Sequence, residues 1–219
     1  MPDESSATST TPRWQRRPEA RPEEILDAAQ TVFGECGFAR TKIEDVARLA
    51  GVSKGTVYLY FESKDALFRE MVRAKIVASL AEGEALIRSH QGSARELLVE
   101  FIRRMYERMR REQMMRIARV VQGELPNFPE LARFYFEEVI LRARGLVEQV
   151  LARGVASGEF RPSAHGFAAR GLSSLLVHTA QMQCFFHPCD PAAITDAQAL
   201  EGLIDMYLHG VLARPDEGN

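Results

Sequence analysis

Residues 41–60 constrain the fold more than any other part of the sequence, because they encode two short helices joined by a tight turn. The first helix has one apolar face, and Gly51 ends it. Ser53 is a good N-cap for a second, very short helix that runs to Tyr60. Two short helices joined in this way form a helix-turn-helix. The apolar face of the first helix consists of Ile43, Val46, Ala47 and Ala50.

The start of the first of these helices has its own sequence signature. Thr41 and Glu44 are three residues apart, as in a capping box. We therefore expect the Thr41 hydroxyl to accept a backbone N–H of the helix while the Glu44 side chain reaches back to the N-cap.

Helical periodicity continues on both sides of this motif. One helix runs from Pro22 to the glycine at position 37, and Ser63 caps a further helix after the motif. No segment of useful length alternates with the period of a strand, so the sequence predicts an all-α fold. The remaining helices are predicted at about 94–111, 113–124, 129–156, 163–187 and 195–213.

The composition narrows the class of protein. The 219 residues are 46% hydrophobic and 26% charged, with a net charge of −2, as is ordinary for a globular protein. No apolar run approaches the roughly 20 residues that span a bilayer, and the first residues do not resemble a signal peptide. An odd number of cysteines favours reduced thiols. We expect a cytoplasmic protein with no membrane role and no cofactor.

Four blocks of sequence closely resemble the N-terminal domain of the TetR family of transcriptional regulators. They lie in a stretch of about 50 residues, with the spacing of that family. Beyond residue 80 the resemblance is only architectural. The blocks are Ile25-Leu26-Asp27-Ala28-Ala29 with Phe33 and Gly37-Phe38, Thr41–Ala47 (TKIEDVA), Gly51–Phe61 (GVSKGTVYLYF) and Lys64–Leu67 (KDAL).

The resemblance implies a three-helix DNA-binding domain at residues 18–64 and a helical ligand-binding and dimerisation domain at 65–214, followed by a disordered tail at 215–219. It implies a homodimer that represses transcription from a palindromic double-stranded DNA operator. A small-molecule effector would release the dimer by shifting the helix at 64–80, which moves the recognition helices off the groove spacing of about 34 to 36 Å. A constitutive DNA-binding regulator or activator is the alternative. No catalytic constellation supports an enzyme.

The first residues are expected to form a disordered arm. Residues 1–17 are rich in Ser, Thr, Pro and charge, and they cannot bury enough surface to offset the entropy of ordering. Arg13, Arg16 and Arg17 could enter a minor groove, and a tail that only adds salt-sensitive affinity is the alternative.

A helix that lies in the major groove needs small residues at its start and polar groups on its outer face. Val57 and Phe61 are four residues apart and should point inward, so that the tyrosines beside them face outward. The resemblance adds Thr41 and Lys64 as phosphate contacts, for which a pure N-cap and a solvated charge are the alternatives; a core aromatic is the alternative for Tyr60. The predicted DNA contacts are Thr41, Lys42, Ser53, Lys54, Gly55, Thr56, Tyr58, Tyr60 and Lys64.

In the second half, aromatic residues and methionines on the central helices are candidates for lining a ligand cavity, and ordinary core packing is the alternative for each. The effector should therefore be largely apolar. Arg104, Arg108 and Arg111 share a helical face that should meet solvent, with an anionic ligand or an acidic neighbour as the alternative. The predicted ligand-binding residues are Phe101, Met105, Met109, Met115, Phe134, Phe136, His178, Gln181 and Phe185.

The TetR family pairs through its last two long helices, so the resemblance implies that their apolar faces serve both the core and the dimer interface. Cys184, His187 and Cys189 lie close together in the sequence, but they lack a second anchored ligand pair, and we predict no metal site. The predicted interface residues are Phe167, Leu172, Leu175, Leu176, Leu203, Met206, Tyr207 and Val211.

Overall fold

The computed structural model describes residues 21–162 and 166–212. The predicted disordered arm and its three arginines, the tail at 215–219 and the first residues of the helix predicted at 163–187 lie outside the described residues.

The described residues fold almost entirely into helices, which confirms the predicted all-α fold. Extended pairing within them is limited to one isolated bridge between Phe160 and Leu212. In this part of the chain no helix has the length and apolar character to cross a bilayer. The helices are α1 (Arg21–Cys36), α2 (Ile43–Leu49), α3 (Lys54–Tyr60), α4 (Lys64–Val72), α5 (Ala78–Ser89), α6 (Ala94–Met109), α7 (Glu112–Gly123), α8 (Pro129–Tyr135), α9 (Arg142–Ala156), α10 (Phe167–Gln181) and α11 (Asp196–Val211).

Three π-helical stretches modify the predicted helices. Arg73–Val77 joins α4 to α5, Phe136–Leu141 joins α8 to α9, and Met182–Phe186 extends α10. The helix predicted at 64–80 is therefore α4, a π-helical turn and the start of α5. Periodicity alone does not distinguish a π turn from an α turn, because one extra residue changes the apolar spacing only locally.

The predicted capping box at the start of α2 is wrong. Lys42 occupies the N-cap position, and its side chain makes no capping hydrogen bond. The Thr41 hydroxyl instead donates to the carbonyl oxygen of Gly37 at 2.6 Å. Glu44 forms an ion pair with Lys54 rather than reaching back to the N-cap.

The serine caps predicted for the next two helices are confirmed. Ser53 Oγ accepts the N–H of Thr56 at 3.0 Å, and Ser63 Oγ accepts the N–H of Ala66 at 3.0 Å. Because α3 has only seven residues, a cap satisfies a large share of its free N–H groups.

Two clusters of buried apolar side chains hold the helices together. The N-terminal cluster lies among α1–α4 and extends to α7 and α8, whereas the second lies mainly among α5, α6, α9, α10 and α11. Helices α1 and α7 approach most closely at Gly34, where an added Cβ would lie 2.7 Å from Cβ of Arg116. The DNA-binding domain therefore rests on α7 through α1.

Candidate DNA interface and ligand cavity

Helix α3 has a buried face and an exposed face. Val57 is fully buried, and Phe61 after the helix is buried as well, whereas Tyr58 is 44% exposed and Tyr60 is also exposed. The buried side chains anchor α3 on the N-terminal cluster. The remaining face of the helix is free to enter a groove of DNA.

The outermost line of α3 runs through Gly55 and Leu59, which are four residues apart and opposite Val57 on the helix. A Cβ at position 55 would meet only Ser53 Oγ, at 3.7 Å, so no contact inside the protein requires glycine there. Leu59 is 78% exposed. The sequence analysis missed Leu59, although its spacing from Gly55 was a usable signal.

Lys54 is held in place by two neighbours. Its Nζ lies 2.6 Å from Oε1 of Glu44 and 5.7 Å from the ring centroid of Tyr58. The hydrogen bond between them lowers the pKa of the Glu44 carboxyl and raises the pKa of the Lys54 ammonium. Both side chains are about half exposed, so Lys54 can exchange this pairing for a phosphate or a base at little cost.

Lys64 has a different role from the predicted phosphate contact. Its Nζ donates to the carbonyl oxygens of Phe38 at 2.9 Å, Ala39 at 3.2 Å and Thr41 at 3.2 Å. These three bonds use all three ammonium protons. Nζ also lies 4.7 Å from the centroid of the Phe38 ring. Lys64 therefore fastens the corner between α1 and α2 to the start of α4.

Thr41 belongs to the same corner. It is 3% exposed, and its hydroxyl and its backbone N–H both donate to Gly37 O. With these donors engaged inside the protein, Thr41 supports the corner and has no free group for a phosphate. Lys42 beside it is exposed.

A cavity of about 230 Å³ lies in the middle of the helical domain. Side chains from α5 to α10 and from the π-helical stretches beside α5 and α9 surround it. Its wall is mainly apolar, which suits a mainly apolar ligand. The lining residues are Ile76, Ser79, Leu80, Phe101, Met105, Arg108, Met109, Met114, Ile117, Ala118, Val121, Gln122, Tyr135, Val139, Ile140, Ala143, Val147, Ser173, Leu176 and Val177.

Three of the nine predicted ligand-binding residues, Phe101, Met105 and Met109, line this cavity. All three are on α6, where the predicted apolar stripe coincides with the inner face. The sequence analysis missed Tyr135 and the lining residues of α7, because a helical stripe does not say which of two neighbours it faces.

The other six predicted ligand-binding residues lie away from the cavity. Phe134 is buried beneath the guanidinium groups of Arg69 and Arg73, which lie 4.7 and 5.1 Å from its ring centroid. Phe136 and His178 are exposed. Met115, Gln181 and Phe185 line two more open pockets beside α7 instead.

The arginine-rich region is largely paired. Arg108 is nearly buried and forms an ion pair with Glu82, and Arg104 forms one with Glu100. The prediction that Arg108 faces solvent is therefore wrong. Arg111 is exposed, as expected.

Five predicted interface residues are buried within the protomer and offer little surface to a partner. Tyr207, for example, donates its hydroxyl to Ala168 O at 2.9 Å, and burial raises its pKa. By contrast, Phe167 is 84% exposed, Met206 is 54% exposed, and Leu175 is partly exposed. The buried five are Leu172, Leu176, Leu203, Tyr207 and Val211.

Cys184 is partly buried, whereas His187 and Cys189 are exposed. Within residues 21–162 and 166–212, no group of three His, Cys, Asp or Glu side chains is arranged to hold a metal ion.

An outward-facing recognition helix on a helix-turn-helix core, joined to a helical domain with an internal cavity, defines a transcriptional regulator of the helix-turn-helix class. The chain belongs to the TetR family. The profile of the bacterial regulatory proteins of the tetR family matches residues 25–71. The profile of the AefR-like transcriptional repressor C-terminal domain matches residues 96–210.

Similar proteins are also transcriptional regulators. The fatty acid metabolism regulator protein of Bacillus subtilis is 27% identical over 147 residues, which are 67% of this chain and 73% of that protein. The transcriptional repressor KstR2 of Rhodococcus jostii is 30% identical over 139 residues, which are 63% of this chain and 67% of that protein.

Solved structures share the fold at lower identity. The regulator FadR of Bacillus subtilis in complex with stearoyl-CoA has a TM-score of 0.72 and 22% identity, and the match covers 86% of this chain and 98% of that one. A transcriptional regulator of Saccharomonospora viridis in complex with choline has a TM-score of 0.73 and 21% identity, and the match covers 90% and 99% of the two chains.

The substitution Lys64→Met tests the role of Lys64 in the corner. It removes three hydrogen bonds from a charged donor, so we expect the free energy of unfolding to fall by about 2 kcal/mol. The exposed Lys42→Met is the control and should change this free energy by less than about 0.5 kcal/mol. Urea denaturation measures both. A Lys64→Met variant as stable as the wild type would contradict this role.

Proposed function

We propose that the protein is a repressor that binds a palindromic operator as a homodimer and is released when a small, mainly apolar molecule occupies the cavity. The observation that carries this proposal is that the cavity and the N-terminal cluster share residues. Six residues of the cavity wall also belong to the N-terminal cluster or pack against it. A ligand in the cavity would therefore press on side chains that support the helix-turn-helix. The six residues are Ile76, Met114, Ile117, Val121, Tyr135 and Val139.

Helix α7 offers a route from the cavity to the recognition helix. One side of α7 lines the cavity, and the other side holds α1, where Arg116 lies 2.7 Å from Glu35 Oε1. After the end of α7, Glu124 Oε2 accepts the N–H of Ala39 at 2.8 Å. Ala39 lies in the corner that Lys64 fastens, directly before α2. A small shift of α7 would thus be passed to α2 and α3.

The relatives support a small-molecule effector. The structure of Bacillus subtilis FadR holds stearoyl-CoA, and the regulator of Saccharomonospora viridis holds choline. These ligands differ greatly in size and polarity, so the effector of this chain has to be inferred from its own cavity.

For the DNA contacts, we propose the exposed residues of α3 and its N-terminal flank. Small residues at the start of α3 would let the backbone approach the groove, and Lys54 and the tyrosines would contact phosphates and bases. Leu59 joins this set, whereas Thr41 and Lys64 leave it. The proposed contacts are Lys42, Ser53, Lys54, Gly55, Thr56, Tyr58, Leu59 and Tyr60.

For the dimer, we propose the outer faces of α10 and α11. One short recognition helix reads too few bases to select a site, and a two-fold axis doubles the readout on a palindrome. Phe167 and Leu175 on α10 and Met206 on α11 offer apolar surface. At Gly202 an added Cβ would meet nothing within 4 Å, which leaves room for a second backbone.

Operator binding and its release test the proposal. A duplex selected from a random library by the purified protein should bind two protomers, and Lys54→Ala combined with Tyr58→Ala should abolish sequence-specific binding. Arg88→Ala on α5 removes an exposed charge away from α3 and should leave binding unchanged. Fluorescence anisotropy in a salt titration measures this, since each lost phosphate contact lowers the salt slope by about 0.9.

The same assay, run with a small-molecule library, should identify compounds that weaken operator binding while the helical circular dichroism stays constant. Weak binding that is equal on all duplexes would contradict the proposed DNA function. Tight specific binding that no compound weakens would instead favour a constitutive regulator.

Leu59 should read the methyl group of a thymine. Replacing thymine by uracil at the contacted position removes only that methyl, and burial of one such group is worth about 0.8 kcal/mol, or about fourfold in affinity. Wild-type protein should lose this factor, and Leu59→Ala should bind the thymine and uracil duplexes equally. Uracil outside the site serves as the control. A Leu59→Ala variant that keeps the full thymine preference would rule out this contact.

A further inference from the structure

The polar side chains in the cavity wall restrict which ligand it can hold. There are five of them, and three already donate hydrogen bonds inside the protein. Ser79 Oγ donates to Ile76 O at 2.6 Å, and Ser173 Oγ donates to Ala169 O at 3.2 Å. The Arg108 guanidinium donates to Ser79 O at 2.7 Å and forms an ion pair with Glu82. The five polar lining residues are Ser79, Arg108, Gln122, Tyr135 and Ser173.

The other two polar lining residues, Gln122 and Tyr135, differ in their exposure to solvent. Gln122 is exposed to solvent near the end of α7, so water satisfies its amide. Tyr135 is partly exposed and lines the cavity at the end of α8. Its hydroxyl has no hydrogen-bond partner within the described part of the chain. A donor in the cavity wall that has no protein partner is available to an acceptor in a ligand.

The protonation state of this hydroxyl is also defined. Burial raises the pKa of Tyr135 to about 12, so the group is a neutral donor throughout the physiological range. It would donate a hydrogen bond to an acceptor in the ligand. Because it is uncharged, it would not repel a ligand electrostatically.

The charge of the ligand follows from Arg108, the only cationic residue in the described cavity wall. Because Arg108 is already paired with Glu82, a carboxylate inside the cavity would lack a free counter-ion. An unpaired buried charge is far more costly than a neutral polar group.

We infer that the cavity binds a neutral, mainly apolar molecule with one hydrogen-bond acceptor, such as a ketone, ester or ether oxygen, and that the Tyr135 hydroxyl donates to that acceptor. This inference rests on the proposed function of the cavity. It also gives Tyr135 a positioning role, because the residue packs against the N-terminal cluster and fixes the ligand beside the residues that the cavity shares with that cluster.

Three naphthalenes of similar size provide the probes. 2-Acetylnaphthalene carries a neutral acceptor, 2-ethylnaphthalene replaces it with an apolar group, and 2-naphthoate replaces it with an anion. Equilibrium dialysis against wild-type protein and Tyr135→Phe gives the affinities. Wild-type protein should prefer 2-acetylnaphthalene over 2-ethylnaphthalene by about 3- to 10-fold, the range for one net hydrogen bond, and should bind 2-naphthoate most weakly. Tyr135→Phe should lose this preference, because the carbonyl of 2-acetylnaphthalene would then be buried without a donor.

Infrared spectroscopy of carbonyl-labelled 2-acetylnaphthalene adds a readout that a packing role would not move. The carbonyl stretch of the bound probe should lie at lower frequency in wild-type protein than in Tyr135→Phe. Unchanged binding of 2-ethylnaphthalene shows that the variant keeps its cavity.

The outcomes separate this inference from the function on which it rests. Equal affinity of wild-type protein for the neutral pair, the same preference in Tyr135→Phe, or an unmoved carbonyl stretch would overturn the Tyr135 contact and leave the cavity as an apolar ligand site. Tightest binding of 2-naphthoate would overturn the neutral ligand class. No binding of any probe by wild-type protein would overturn both this inference and the proposed cavity function.

Discussion

The close packing of α1 on α7 is the contact on which the rest of the structure depends. Gly34 allows the two backbones to approach, and the ion pair between Glu35 and Arg116 closes over the crossing. Without this contact the helix-turn-helix would be joined to the helical domain mainly through α4 and α8. With it, α7 contributes both to the wall of the cavity and to the packing of the DNA-binding domain.

The corner between α1 and α2 receives interactions from both domains. Lys64, at the start of α4, donates to carbonyl groups of the corner, and Glu124, after α7, accepts its N–H at Ala39. Each bond is modest on its own, but together they tie the corner to both α4 and α7. Helices α2 and α3 continue directly from this corner.

Local sequence patterns predicted the helices, the serine caps and the buried side of α3, because these depend on neighbours a few residues apart. These patterns failed where a side chain bonds to a group that lies outside its own helix. The Thr41 hydroxyl donates to the carbonyl oxygen of Gly37, and the Lys64 ammonium donates to three backbone carbonyl groups. Helical periodicity does not reveal these partners. Likewise, an apolar stripe places Leu172 and Phe134 on an inward helix face but does not say which element they pack against. The residues of the cavity wall and of the dimer face therefore could not be predicted from the stripes alone.

The central claim is that α7 carries the signal from the cavity to the DNA-binding face. The most direct test measures operator affinity with and without a cavity ligand, 2-acetylnaphthalene, in wild-type protein and in Arg116→Met combined with Glu124→Met. In wild-type protein the ligand should weaken operator binding by about 5- to 150-fold, the usual range of such coupling. In the double variant this factor should approach one while ligand affinity is retained. An undiminished factor would contradict the account.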